Sequence, residues 1–124
     1  MVAFYLGGKY EERHQIKDMA HKLVEMGYEW TCDWTKHWDL TFAQFYAQED
    51  IKGVLDADFV IFKKDNDHKY KGTWVEMGAA LASGKPVYIV GHAGDSCLFI
   101  KHPLVEQFEN FNDLFEYINY RWDV

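Results

Sequence analysis

Short apolar runs alternate with longer stretches of helical period along almost the whole chain, and this alternation constrains the fold more than any other feature. Val2-Ala3-Phe4-Tyr5-Leu6, ended by Gly7-Gly8, reads as a buried strand. Ile16, Met19, Ala20, Leu23 and Val24 then recur at helical spacing, with Gly27 as the stop. Tyr28 to Cys32 is rich in aromatic and β-branched residues and predicts a second strand. A polar and aromatic connection, Asp33 to Asp39, leads to a helix from about Thr41 to Asp56, its inner stripe expected at Ala47, Ile51, Val54 and Leu55. Phe59-Val60-Ile61-Phe62 is a third strand, and its unbroken apolar run implies burial on both faces. Beyond the charged stretch Lys63 to Lys71, a helix runs from Gly72-Thr73 to about Ser83 and stops at Gly84-Lys85-Pro86. Val87 to Val90 is the fourth strand, and either Cys97 to Ile100 or Glu106 to Glu109 supplies a fifth. A last helix carries Phe111, Leu114, Phe115 and Ile118, with Asn110 and Asp113 as its cap pair.

Connections of this length join parallel strands, so the expected architecture is α/β, a parallel sheet with helices on both faces. The 124 residues suffice for one domain, expected to span 1–124. Apolar residues at 48% and charged residues at 27% exclude disorder, and an aromatic share of 18% supplies flat faces on which a planar ligand can stack. A net charge of −7 argues against a polymeric nucleic-acid partner, whose phosphates it would repel. No apolar run of 18 residues and no leader-like start occur, and Cys32 and Cys97 are too few for a disulfide framework. A cytoplasmic location without membrane contact is therefore expected. The histidines at 14, 21, 37, 68, 92 and 102 show no metal-ligand spacing, so no metal is expected; the chain after the first strand has neither a dinucleotide fingerprint nor a Walker loop, and no other cofactor is expected.

In parallel sheets of this kind, ligands bind beyond the carboxyl ends of the strands, where the strand order reverses. The first such end carries Gly7-Gly8-Lys9, either a tight turn or a place for close backbone approach to a ligand, with Lys9 as a cation. The third leads to Gly72-Thr73-Trp74-Val75-Glu76-Met77-Gly78-Ala79-Ala80. Thr73 as N-cap would put Glu76 at the third helical position. Glu76 then either closes a capping box with Thr73 or stands as an ionised carboxylate at the strand ends, favoured by the helix N-terminus. Asp50 lies at the edge of the preceding helix's apolar stripe, four residues after Tyr46, either solvated or on the rim of the same cleft. Trp34 and Trp38, four apart, could form one wall, and Trp30 and Trp74 are further stacking candidates.

Taken together, Tyr5 in Tyr5-Leu6-Gly7-Gly8, Asp50 in Glu49-Asp50-Ile51-Lys52-Gly53-Val54-Leu55 and Glu76 in the Gly72-to-Ala80 segment resemble the nucleoside 2-deoxyribosyltransferase superfamily, which includes deoxynucleoside 5′-monophosphate N-glycosidases. The resemblance runs from Phe4 to about Ile118. It implies a flavodoxin-like, doubly wound, five-stranded sheet in the order 2-1-3-4-5. It also implies that Glu76 attacks the anomeric carbon, Asp50 handles the proton of the departing base and Tyr5 positions Glu76, as in a retaining glycosidase. Gly7, Gly8, Lys9, Asp33, Trp34, Gly72 and Thr73 become the substrate-binding candidates. The implied partner is a small nucleoside or nucleotide, and the implied assembly a homodimer or higher homo-oligomer.

The chain departs from the family pattern in three places. Lys9 stands where transferases often have Pro or Ser, and Tyr70 where some members have an extra Asp. Only Asp95, Ser96 and Cys97 lie near the position of the polar group that a neighbouring subunit supplies. Lys9, with Arg13 and His14 in the next helical turns, favours a 5′-phosphorylated substrate, while Glu11 and Glu12 oppose it. Two other functions fit the same pocket: a non-catalytic nucleotide sensor, and a glycohydrolase acting on a nicotinamide dinucleotide. Only the enzymes require a Glu76 that is not engaged solely with Thr73.

Overall fold

The computed structural model describes residues 1–65, 71–92 and 97–122. Five strands, β1 (Ala3–Gly7), β2 (Glu29–Trp30), β3 (Phe59–Lys63), β4 (Val87–Val90) and β5 (Val105–Phe108), lie in the order β2-β1-β3-β4-β5. Every pairing is parallel, with Tyr5 opposite Val60 and Ile61 opposite Tyr88. This is the doubly wound, flavodoxin-like sheet that the alternation and the resemblance lead one to expect.

Helices α1 (Arg13–Glu25), α2 (Ala43–Asp56), α3 (Lys71–Ala82) and α4 (Phe111–Arg121) connect and cover the strands. The chain moves from β1 outward to β2, then back past β1 to β3 and on to β4. With right-handed crossovers, that reversal puts α1 on one face and α2 with α3 on the other. Tyr28 after α1 and Trp122 after α4 both pack on Phe59, so α4 shares the face of α1. Phe4, Tyr5, Leu6, Val60, Ile61 and Phe62 are fully buried in the two central strands. Each contributes roughly 1.5–3 kcal/mol by leaving water. Gly27 ends α1 at φ 103°, a left-handed conformation open to glycine at low cost. Asn110 caps α4 by accepting a hydrogen bond from the Asp113 amide at 2.8 Å. Among the described residues, no helix is long and apolar enough to cross a membrane.

Four expectations need correction. The fifth strand is Val105–Phe108, overlapping the second of the two candidate segments, whereas residues 98–101 form a 3-10 turn. The second strand is only two residues long, because β2 is an edge strand and the chain turns away after Trp30. Val24 is 46% exposed and lies outside the buried stripe of α1, formed by Ile16, Ala20 and Leu23. On α2 the buried residues are Gly53 and Val54, while Ala47 and Leu55 face solvent. The stripe was displaced because its innermost member is a glycine, which a hydropathy count passes over. A Cβ on Gly53 would lie 2.6 Å from Cys32 Cβ and 3.1 Å from the Tyr5 ring. That close approach seats α2 against β1 and turns Asp50, one helical turn earlier, inward.

Candidate active site

A cavity of about 310 Å³ opens beyond the carboxyl end of β1, lined by Gly8, Lys9, Tyr10, Trp34, His37, Tyr46, Asp50, Gly72, Thr73 and Glu76. It lies at the reversal point of the strand order, where doubly wound sheets bind their ligands. Tyr5 points from β1 toward the α2/α3 side, and its hydroxyl donates to Glu76 Oε2 at 2.7 Å. On the same strand, a Cβ at Gly7 would sit 2.8 Å from the Phe62 ring and 3.1 Å from Glu76 Oε1. Glycine is therefore needed there to admit the protein's own carboxylate. A Cβ on Gly8 would likewise meet the Ile16 side chain at 2.6 Å and the Lys63 carbonyl at 3.2 Å.

The capping box does not form. Thr73 lies inside α3, and Glu76 accepts instead from the Tyr5 hydroxyl of β1 on the face that α3 covers. Thr73 Oγ1 is buried at the cavity wall without a hydrogen-bond partner among the described residues. The charge state of Glu76 also differs from expectation. Burial raises its pKa from 4.5 to about 7, the Tyr5 hydrogen bond pulls it down and the Asp50 charge adds to the rise. Glu76 is one turn too far along α3 for the helix N-terminus to offset that desolvation. Burial, with the Glu76 charge second, holds the Tyr5 phenol well above its usual range, so Tyr5 remains a proton donor.

Asp50 projects from α2 into the same cavity. Its Oδ1 lies 3.6 Å from Cys32 Sγ and 3.4 Å from His37 Nδ1. Burial raises its pKa, and the facing His37 counteracts this. The Cys32 thiol is pushed up to about 12, chiefly by burial and then by Asp50, so it stays a hydrogen-bond donor. The His37 imidazole stacks on Tyr46 with ring centroids 4.0 Å apart and planes 5° from parallel. This pair forms a wall of the cavity.

The fold thus brings Tyr5, Asp50 and Glu76 together, with Gly8, Lys9, Trp34, Gly72 and Thr73 around them. A Cβ at Gly72 would meet nothing within 4 Å among the described residues. Gly7 lies beneath Glu76. Trp34 is buried, and its indole nitrogen donates to the Leu6 carbonyl at 2.6 Å, which anchors the wall to β1. Asp33 lies outside the lining residues; it accepts from the Thr35 amide at 3.1 Å and faces Lys17 and Lys36. Trp38 is 75% exposed, and Trp30 packs edge-on against His21. Trp74 lies under the Lys64 ammonium, 4.8 Å from the ring centroid, and borders a separate apolar groove along α3. Lys9 sits at the cavity edge, 3.9 Å from Glu12, whereas Arg13 lies over the Tyr10 ring and donates to the Tyr10 carbonyl. Tyr70, Asp95 and Ser96 lie outside the described residues. Tyr10, His37 and Tyr46 line the cavity without a sequence motif of their own; for Tyr46 the i, i+4 spacing to Asp50 is the one sequence signal.

Comparison with known proteins bears on this arrangement. A family model described as nucleoside 2-deoxyribosyltransferase matches residues 4–115. The 2-deoxyribosyltransferase of Bacillus psychrosaccharolyticus is 20% identical and superimposes with a TM-score of 0.70, over 98% of this chain and 93% of that one. The CMP N-glycosidase BcmB of Clostridium botulinum is 16% identical, with a TM-score of 0.61 over 93% of this chain and 98% of that one. At these identities the two structures speak to the fold. No curated protein matches the chain.

Proposed function

The chain belongs to the nucleoside 2-deoxyribosyltransferase family, enzymes of the N-glycosidic bond, and from that premise we propose that it removes or exchanges the base of a nucleoside or nucleoside 5′-monophosphate through a covalent glycosyl-Glu76 intermediate. The Glu76 carboxylate attacks the anomeric carbon as the bond to the base breaks, and Asp50 delivers the proton that the departing base takes up. Water or a second base then displaces Glu76, as in retaining glycosidases. Trp34 and the His37–Tyr46 stack flank the space for the base.

One observation carries this reading: the 2.7 Å bond from the Tyr5 hydroxyl to Glu76, at a cavity that Asp50 also lines. A carboxylate engaged by a structural cap would suit a sensor; one held by the underlying strand at the wall of a cavity suits a nucleophile. The test is incubation with a panel of deoxynucleosides, ribonucleosides and their 5′-monophosphates, with and without a free acceptor base. Release of base without acceptor indicates hydrolysis, exchange only with acceptor indicates transfer, and neither across the panel refutes the proposal.

Tyr5→Phe is expected to slow the reaction by about 10- to 150-fold, the value of roughly 1.5–3 kcal/mol for a hydrogen bond to a charged group. The same change removes a contact that lowers the Glu76 pKa, so the ascending limb of the pH–rate profile should move to higher pH. Kinetics identical to wild type would mean that the hydroxyl does not serve Glu76.

The 5′ end of the substrate is assigned to Lys9. It lines the cavity beside the start of α1, and Glu12 lies close enough to hold its ammonium near that position. A monophosphate should outperform its nucleoside in the wild type, and Lys9→Ala should erase the difference. Equal rates on both substrates in the wild type would remove the assignment. The proposal also includes a homodimer or higher homo-oligomer. Val75, Leu98 and Phe99, left exposed by α3 and the turn that follows β4, support it. Light scattering at micromolar concentration should give at least twice the 14.7 kDa of one chain.

A further inference from the structure

Three side chains that share no sequence motif converge beside the cavity: the Cys32 thiol after β2, the His37 imidazole in the next loop and the Asp50 carboxylate on α2. Their donor atoms all lie within 4.8 Å of one another. Thiol and imidazole both address a single oxygen, Asp50 Oδ1, at 3.6 Å and 3.4 Å. A tetrahedral zinc ion, with bonds of about 2.05 Å to N and O and about 2.3 Å to S, holds N and O about 3.3 Å apart and S and O about 3.6 Å apart. Two edges of the triangle therefore already have the lengths that zinc imposes. The third, from Cys32 Sγ to the imidazole, lies within 4.8 Å and needs to close by at most about 1.2 Å.

We propose that Cys32, His37 and Asp50 bind one Zn²⁺ ion, and that the bound ion inhibits the enzyme by removing Asp50 from the reaction. On binding, a Zn–S bond forms as the Cys32 S–H bond breaks and its proton passes to solvent. His37 supplies an imidazole lone pair and Asp50 a carboxylate oxygen, with no change of oxidation state. His37 and Asp50 both line the cavity, so the fourth coordination position faces it and takes a water. The sulfur and nitrogen donors select zinc over magnesium and calcium, which favour all-oxygen sets. Zinc binding stands on the donor geometry alone. The inhibitory consequence rests on the role proposed for Asp50.

Titration of the whole protein with Co²⁺, followed by displacement with Zn²⁺, tests the site without reference to turnover. The expected result is one equivalent of metal and a thiolate-to-cobalt charge-transfer band in the near ultraviolet. That band should persist in Cys97→Ser, vanish in Cys32→Ser and require at least tenfold more metal in His37→Ala. The His37→Ala arm keeps the test decisive should Cys32→Ser fail to fold. No band in the wild type, or an undiminished band in Cys32→Ser, overturns the site. In the activity arm, one equivalent of Zn²⁺ should stop base release, a chelator should restore it, and equal Mg²⁺ or Ca²⁺ should do nothing. Unchanged base release from the zinc-loaded protein would overturn the inhibition. If no substrate turns over at all, the cobalt band still decides the site, so failure of this inference and failure of the proposed function can be told apart.

Discussion

Glu76→Gln is expected to reduce base release by on the order of four to six powers of ten, the scale reached when a covalent nucleophile is removed. The amide keeps the shape of the carboxylate and can still accept the Tyr5 hydrogen bond, so the cavity should survive. What it loses is the anionic oxygen that forms the glycosyl ester. In the wild type, the Glu76 pKa of about 7 makes the rate rise with pH through neutrality, as the nucleophile ionises. A Glu76→Gln protein that releases base at the wild-type rate would overturn the mechanism.

The same substitution has an opposite and measurable effect on stability. The folded state raises the Glu76 pKa from 4.5 to about 7, so it binds this proton more tightly than the unfolded chain does. The resulting stabilisation is fully present below pH 4.5 and is lost as pH rises through 7. Glu76→Gln escapes that loss. At pH 8 it should exceed the wild type by roughly 2–3 kcal/mol, seen as a Tm several degrees higher, and the gap should close toward pH 4.5. A variant less stable than the wild type at pH 8 would mean that Glu76 is not held against its ionisation.

Asp50→Asn is the second large effect. General acid–base assistance contributes about 10²- to 10⁴-fold, and the loss should fall mainly on substrates whose base departs poorly without a proton. Across a series of nucleosides with increasingly acidic bases, the variant should approach the wild type at the good-leaving-group end. A uniform loss across the series would assign Asp50 to binding or positioning. The asparagine oxygen can still accept from the Cys32 thiol, so packing at this point of α2 should change little.

The parts of this structure that could be read from the chain are those in which local pattern and tertiary context agree. Phe59 to Phe62 forms a strand buried on both faces because a continuous apolar run in a parallel sheet can be satisfied only by helices above and below. The three residues of the family pattern, Tyr5, Asp50 and Glu76, could be named because each sits in a short motif on a recognisable element. The residues around them were harder to read for identifiable reasons. His37 and Tyr46 belong to a loop and to a helix start, and only closure of that connection stacks them at 4.0 Å. Gly53 is silent in any hydropathy count, yet its missing side chain decides how deeply α2 seats and hence where Asp50 points.

Strand–helix alternation, through the long crossovers it requires, was enough to settle the α/β class. The short motifs quoted above led to the family, and the strand order 2-1-3-4-5 came from that resemblance, because strand pairing joins residues as far apart as Tyr5 and Val60. Tertiary structure decided the partner of Glu76. Tyr5 lies 71 residues away, and the Tyr5 bond prevailed over the local Thr73 cap because α3 includes Thr73 and turns the carboxylate toward β1. It decided the charge state of Glu76 as well, since desolvation is a property of everything packed around a group. It alone brought Cys32, His37 and Asp50 to one point, because β2, a loop and α2 meet there only once the sheet has formed.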